Sequence, residues 1–155
     1  MSTISELTHQ ADYIASKNKR LKNQWQTYSS HLITAVTQSN KRINHEFICG
    51  DGQDICFMLF DYFIVRIQLS TDFYSQDILY SINLAAPSEP EEFIEFAHAT
   101  LGEDGCVDTA VDISDRNAVL EHYLNKISTI YQCLFDSIHE NHSSHAQLRK
   151  LLSHA

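Results

Sequence analysis

The fold is decided first by the stretch that opens the chain, residues 3–38, which reads TISELTHQADYIASKNKRLKNQWQTYSSHLITAVTQ. Thr3 and Glu6 have the spacing of a capping box, in which a hydroxyl and a carboxylate satisfy backbone donors at the start of a helix. Apolar residues then recur three or four apart, with no Pro or Gly between them: Ile4, Leu7, Ala11, Ile14, Leu21, Trp25, Tyr28, Leu32 and Ala35. This seam predicts one long helix over about residues 3 to 38.

Asn18 interrupts the seam at a position that a coiled coil normally fills with an apolar side chain. A polar residue there lowers stability but fixes the register and the number of strands, which favours a homodimer through the amino-terminal helix. The alternative is that the helix runs into solvent or bends at Asn18, and that the seam packs on the protein's own sheet. The spacing leaves both alternatives open.

After residue 42 the apolar period changes to two or to continuous runs, which is typical of strands. Strands are predicted at INHEFIC (43–49), ICFMLF (55–60), YFIVRIQL (62–69) and DILYSINL (77–84). A turn is predicted at Gly50-Asp51-Gly52, and Asp61 marks either a tight reversal or a bulge in one long strand. FIEFAHATL (93–101) and CVDTAVDI (106–113) are predicted to pair as a hairpin, after a solvated loop AAPSEPEE at 85–92.

Ser114 and Asp115 suit the start of a second helix, whose apolar residues continue to about residue 140. The remaining residues are mostly polar, and we expect a loosely held, histidine-containing tail over 141–155. The order of helix, strands and helix predicts the α+β class. We therefore expect one domain over residues 1–140, an antiparallel sheet of about five strands flanked by long amino-terminal and carboxy-terminal helices.

The charge of the chain is acidic but unevenly distributed. The formal net charge is −9, yet residues 1–42 carry six Lys or Arg against Glu6 and Asp12. An acidic average repels polyanions, so direct binding of nucleic acid is disfavoured. The absence of a long apolar run or a signal pattern predicts a cytosolic protein without a membrane span, and the scattered cysteines do not indicate a disulfide framework.

Motifs that carry catalysis or bind cofactors are missing. The sequence has no Gly-rich phosphate loop, no GxSxG and no HExxH, and its four glycines lie in turns. His139, His142 and His145 drift around an ideal helix, and no acidic or thiol partner nearby completes a site, so their spacing does not favour a metal site. We expect a protein that is not an enzyme and needs no cofactor or metal.

The basic run SKNKRLK (16–22) is the local departure from the acidic average. A solvated helix face is the default interpretation of such a run. The functional alternative is a docking face for an acidic protein surface, because Lys and Arg provide charge complementarity there. The candidate partner-binding residues are Lys17, Lys19, Arg20, Lys22 and Trp25.

Three stretches in this order, ADYIASKNKRLKNQW (11–25), ICFMLFDYF (55–63) and DRNAVLEHYLNKI (115–127), resemble the formate hydrogenlyase regulatory proteins of enteric bacteria. The resemblance covers about residues 4 to 137 and includes no chemical motif. It implies a negative regulator of the formate hydrogenlyase and hydrogenase maturation operons that opposes the formate-responsive transcriptional activator. It carries over no catalytic or ligand residue.

A protein partner is consistent with an acidic chain that has no recognition-helix pattern. We therefore expect one or both long helices to bind the activator. Two other function classes stay open at this point. A direct DNA-binding repressor would retain promoter fragments in a salt-sensitive way, and a small-anion sensor would place an arginine such as Arg66 or Arg116 in a pocket.

Overall fold

The chain begins with the 36-residue helix α1 (Thr3–Gln38), whose bounds agree with the seam of apolar residues. The computed structural model describes residues 3–50, 54–85 and 88–153. A short helix, α2 (Asn40–Ile43), leads from α1 into the first strand. Residues 51–53 of the predicted turn and residues 86–87 of the predicted loop at 85–92 lie outside the described parts.

Five strands follow and form one antiparallel sheet in which every strand pairs with its sequence neighbour. They are β1 (His45–Gly50), β2 (Asp54–Leu59), β3 (Phe63–Leu69), β4 (Asp77–Asn83) and β5 (Phe93–Thr100). The junction at Asp61 is a tight reversal, because Leu59 pairs with Phe63 and the residues Phe60 and Asp61 both have positive φ. The predicted α+β class is confirmed.

The region of 106–113 differs from the predicted single strand. It forms two short paired strands, β6 (Cys106–Val107) and β7 (Val111–Asp112). The chain reverses at Asp108 and Thr109, both with positive φ, and the Asp108 carboxylate accepts a hydrogen bond from the Thr100 amide at 2.9 Å. The predicted hairpin of 93–101 with 106–113 is therefore wrong: β5 pairs with β4, and only Leu101 and Val107 form a bridge between the two stretches.

The long helix α3 (Arg116–His139) starts where the capping residues predicted it. The Asp115 carboxylate accepts from the amide of Ala118 at 3.2 Å. Residues 144–153 form a further helix, α4 (Ser144–Ser153), in which Leu148 and Leu152 are buried in the core. This part of the expected loose tail therefore packs on the domain, since its amphipathic spacing is enough for one apolar face.

The core lies where α1 and α3 pack together and against one face of the sheet. Alternate residues of the strands are buried there, as period-two alternation requires. Fully buried side chains from both helices and the sheet meet in one cluster, which includes Tyr28, Leu32, Phe57, Val65, Ile67, Tyr80, Tyr123 and Ile127. No helix in the described ranges has the length and apolar character needed to span a membrane.

Candidate partner-binding site

The first part of α1 extends away from the rest of the protein. Each of residues 3–16 is exposed, and the first buried residue of the helix is Leu21. We call residues 3–16 the projecting segment. At about 1.5 Å per residue it offers roughly 20 Å of helix to other molecules.

An ion pair anchors α1 where it meets the body of the protein. The Lys17 ammonium lies 2.7 Å from one carboxylate oxygen of Glu103 and 2.8 Å from the other. Tyr74 donates its hydroxyl proton to the same carboxylate, and the Gln24 amide donates to the Glu103 carbonyl at 2.7 Å. Hydrogen bonds from Lys17 and Tyr74 hold the pKa of Glu103 below its usual value. Lys17 is thus engaged within the chain.

Trp25 belongs to the core. Its side chain is 4% exposed and stacks on Tyr28, with 5.7 Å between the ring centroids. Trp25 shares the apolar seam with Leu21 and Tyr28, and that spacing already indicated a buried position. In this conformation its ring offers almost no surface to a partner.

Three of the candidate cations remain exposed: Lys19, Arg20 and Lys22. None of them takes part in an ion pair within the described residues. We call these three residues the basic cluster. Because a helix turns by about 100° per residue, Lys19 and Lys22 lie side by side, whereas Arg20 lies about 100° further round. The cluster therefore covers an arc of the helix and not a single narrow face.

The surroundings of the basic cluster are polar on one side and partly apolar on the other. Lys22 lines a cleft of about 540 Å³ between α1 and the loop that follows β3. That cleft contains Asp72 and the side chain of Phe73, which is 75% exposed. Lys19 and Arg20 lie beside Asn23 and Thr27 in a shallower polar depression. A partner could therefore meet charge from the helix together with an apolar contact from the loop.

The exposed part of the apolar seam is the feature that the sequence pattern alone could not locate. Ile4, Leu7 and Ile14 are 77%, 57% and 49% exposed, whereas the seam is buried from Leu21 onward. Asn18 lies at the boundary between the two halves. Within a single copy of the chain, the seam therefore lies open before Asn18 and packs on the core from Leu21 onward.

The two arginines considered for an anion sensor lie in different surroundings. Arg66 stacks on Phe93 with 4.0 Å from the guanidinium carbon to the ring centroid, and its buried Nε has no hydrogen-bond partner among the residues that the structure describes. Arg116 is exposed at the start of α3. The structure does not bring the two side chains into one site.

The three histidines near the carboxyl end also lie in different surroundings. His139 stacks on Phe135 at 4.2 Å between ring centroids, while His145 packs against Tyr62 and Phe63. His142 lies 3.7 Å from a carboxylate oxygen of Glu140. Within the described residues there is no group of three His, Cys, Asp or Glu side chains that could hold a metal ion.

Exposed cations without an ion-pair partner can provide charge complementarity to another macromolecule. Comparison with known proteins gives the family. Residues 2–151 match the model of a family described as transcriptional repressor of hyc and hyp operons. The chain belongs to this family.

Curated relatives agree with this assignment. The chain is 37% identical over 139 residues to the formate hydrogenlyase regulatory protein HycA of Escherichia coli K12, a match that spans 90% of this chain and 89% of the relative. The protein of the same name from Shigella flexneri matches to the same extent. No solved structure matches the chain. The resemblance seen in the sequence is confirmed.

Proposed function

We propose that this protein lowers transcription of the hyc and hyp operons by binding the formate-responsive transcriptional activator, with the basic cluster as the charged part of the contact. Membership in a family of transcriptional repressors supports the biological role. The observation that carries the mechanism is the set of three exposed cations, Lys19, Arg20 and Lys22, that have no ion-pair partner among the described residues of an acidic chain.

Charge argues for a protein partner over DNA. The net charge of −9 gives the whole molecule a field that opposes a polyanion at long range. Three cations on one helix can still pair with a limited acidic patch on a protein, where neighbouring groups supply further contacts. Exposed charges of this kind mainly change the rate of association and its salt dependence.

A binding titration tests the proposal. The fluorescently labelled chain is titrated with the purified activator, and the wild type is compared with the triple variant K19E/R20E/K22E. The matched control is R42E/R116E/K150E, since these three cations are also exposed and unpaired within the described parts. Both variants lower the net charge by the same amount, so any difference between them reports position and not total charge.

We expect the basic-cluster variant to bind the activator at least about tenfold more weakly than the control variant at low salt. The difference should shrink at about 0.5 M salt, because screening reduces the contribution of exposed charges. Equal affinity of the two variants would contradict the role of the basic cluster. Tight retention of promoter DNA by the chain alone at low salt would instead favour direct repression.

A further inference from the structure

The exposed half of the α1 seam has the pattern of a helix that pairs with another helix. Ile4, Leu7, Ala11 and Ile14 are spaced by three, four and three residues, which places them at the core positions of two heptads. Their large members are half-exposed or more. We call these four residues the stripe. On a helical wheel the stripe lies on the same face of α1 as the seam that packs on the core from Leu21 onward. This face is therefore covered in the second half of the helix and open in the first half.

The described residues of the chain do not cover this stripe, since each of residues 3–16 is exposed. A helix with the same spacing is the natural counterpart, and a second copy of the chain supplies one. We propose that two copies pair through residues 4–14 of α1, in antiparallel orientation, as a weak dimer. The proposal goes beyond the contact with the activator and does not depend on it.

The direction of pairing follows from the position of the protein body. From Leu21 onward the seam face of α1 is occupied by the chain's own sheet and α3. In a parallel pair the second helix would lie along that face and run into the body of the first copy. In an antiparallel pair each second helix continues beyond the amino terminus of the first, so the two bodies lie at opposite ends.

The residues next to the stripe are compatible with this direction. In the antiparallel pair Ile4 lies opposite Ile14 of the second copy, and Leu7 lies opposite Ala11. Gln10 then faces Gln10 of the second copy across the twofold axis, with no like charges in contact.

The area available indicates a small interface. The stripes of two copies, with the flanking helix surface, would bury on the order of 800 to 1,000 Å² in total, which is at the lower limit for a specific interface. Ala11 in the centre allows the helices to approach closely. An interface of this size is typical of weak, transient pairs, so the dimer should form only at high local concentration.

Sedimentation velocity of the full chain from about 1 to 500 µM tests the pairing. We expect the mass to rise from 17.8 kDa towards twice that value. The variant I4D/L7D/I14D should remain monomeric while keeping the circular dichroism of the wild type, because these side chains are exposed. The control Y13D changes a 62%-exposed aromatic residue outside the stripe and should dimerise like the wild type.

The orientation is tested by charge at position 10. Q10E alone and Q10K alone should each weaken self-association at least about twofold, and an equal mixture of the two should restore it, since only an antiparallel pair brings position 10 next to itself. Equal self-association of both variants and of the mixture would contradict the antiparallel arrangement.

A chain that stays monomeric at 500 µM would overturn the proposal. If that monomer lost activator binding in the I4D/L7D/I14D variant, the stripe would be a site for the activator and not for a second copy. The proposed function is tested separately by the basic-cluster variant, which leaves the stripe intact. Failure of the dimer and failure of the charged contact are therefore distinguishable.

Discussion

Replacing Tyr28 by Phe removes one half of a buried hydroxyl pair that joins α1 to strand β4 of the sheet. The Tyr28 and Tyr80 hydroxyl oxygens lie 2.7 Å apart, and both side chains are 0% exposed. A hydrogen bond between neutral groups adds only about 1 kcal/mol to stability, but a buried polar group left without its partner costs about 1 to 3 kcal/mol. Y28F and Y80F should therefore each lower the free energy of unfolding by about 1 to 3 kcal/mol.

The double variant Y28F/Y80F separates this pairing from simple loss of atoms. It leaves no orphaned hydroxyl at this position, so its free energy of unfolding should lie within about 1 kcal/mol of the wild type. The resulting coupling, about 1 kcal/mol or more, is the sign of a direct contact. The variants also keep the ring volume, which avoids a cavity that would obscure the result.

Urea unfolding followed by circular dichroism at pH 7 provides the four free energies. Because a change of 1 kcal/mol shifts the melting temperature of a domain of this size by about 2 to 4 °C, thermal scans give an independent check. Additive effects of the two substitutions would contradict this prediction, since they would mean that the two hydroxyls do not depend on each other. In that case α1 would not dock on β4 as described.

Three further outcomes follow from single sites. Burial lowers the pKa of His45 below its usual 6.5, so the unfolded chain takes up a proton before the folded chain does as the pH falls. The free energy of unfolding should therefore decrease below about pH 6.5, by at most about 1.4 kcal/mol per pH unit. Urea titrations of H45Q should show a flatter dependence of this free energy on pH. D115A should lower the free energy of unfolding by about 1 kcal/mol, because the Ala118 amide at the start of α3 loses its capping acceptor. D115S can still cap this amide, so its free energy of unfolding should stay near that of the wild type. Burial, with the neighbouring Cys49 thiol, raises the pKa of Cys56 to about 12, so limited maleimide labelling read by mass spectrometry should modify the exposed Cys49 first; a faster Cys56 would contradict this.

The helices and most strands could be predicted because their signals are local. The spacing of apolar residues gave both bounds of α1, and Asp115 marked the start of α3. The two short strands of 106–113 could not be predicted, because the reversal at Asp108 involves His122 and Lys126 on α3, which lie 2.8 and 3.3 Å from its carboxylate. Such partners are distant in sequence and leave no local pattern.

In the candidate site, too, local features could be predicted and contacts between residues distant in sequence could not. Exposure of the basic cluster agrees with the default expectation for charged residues on a helix. The pairing of Lys17 with Glu103 joins residues 86 positions apart, so the sequence could not separate Lys17 from its three neighbours. Asn18 signalled that the seam changes there, but only the packing of Leu21 and Trp25 shows which half is covered.

Transcription reconstituted from purified components gives a direct test of repression through the basic cluster. A hyc promoter fragment, RNA polymerase, the formate-responsive activator and formate are combined, and transcript is measured as the chain is added. We expect the wild type and R42E/R116E/K150E to suppress the activator-dependent transcript and K19E/R20E/K22E to suppress it much less. A promoter independent of the activator should be unaffected. Equal suppression by both charge variants, or suppression of the independent promoter, would contradict repression through the basic cluster.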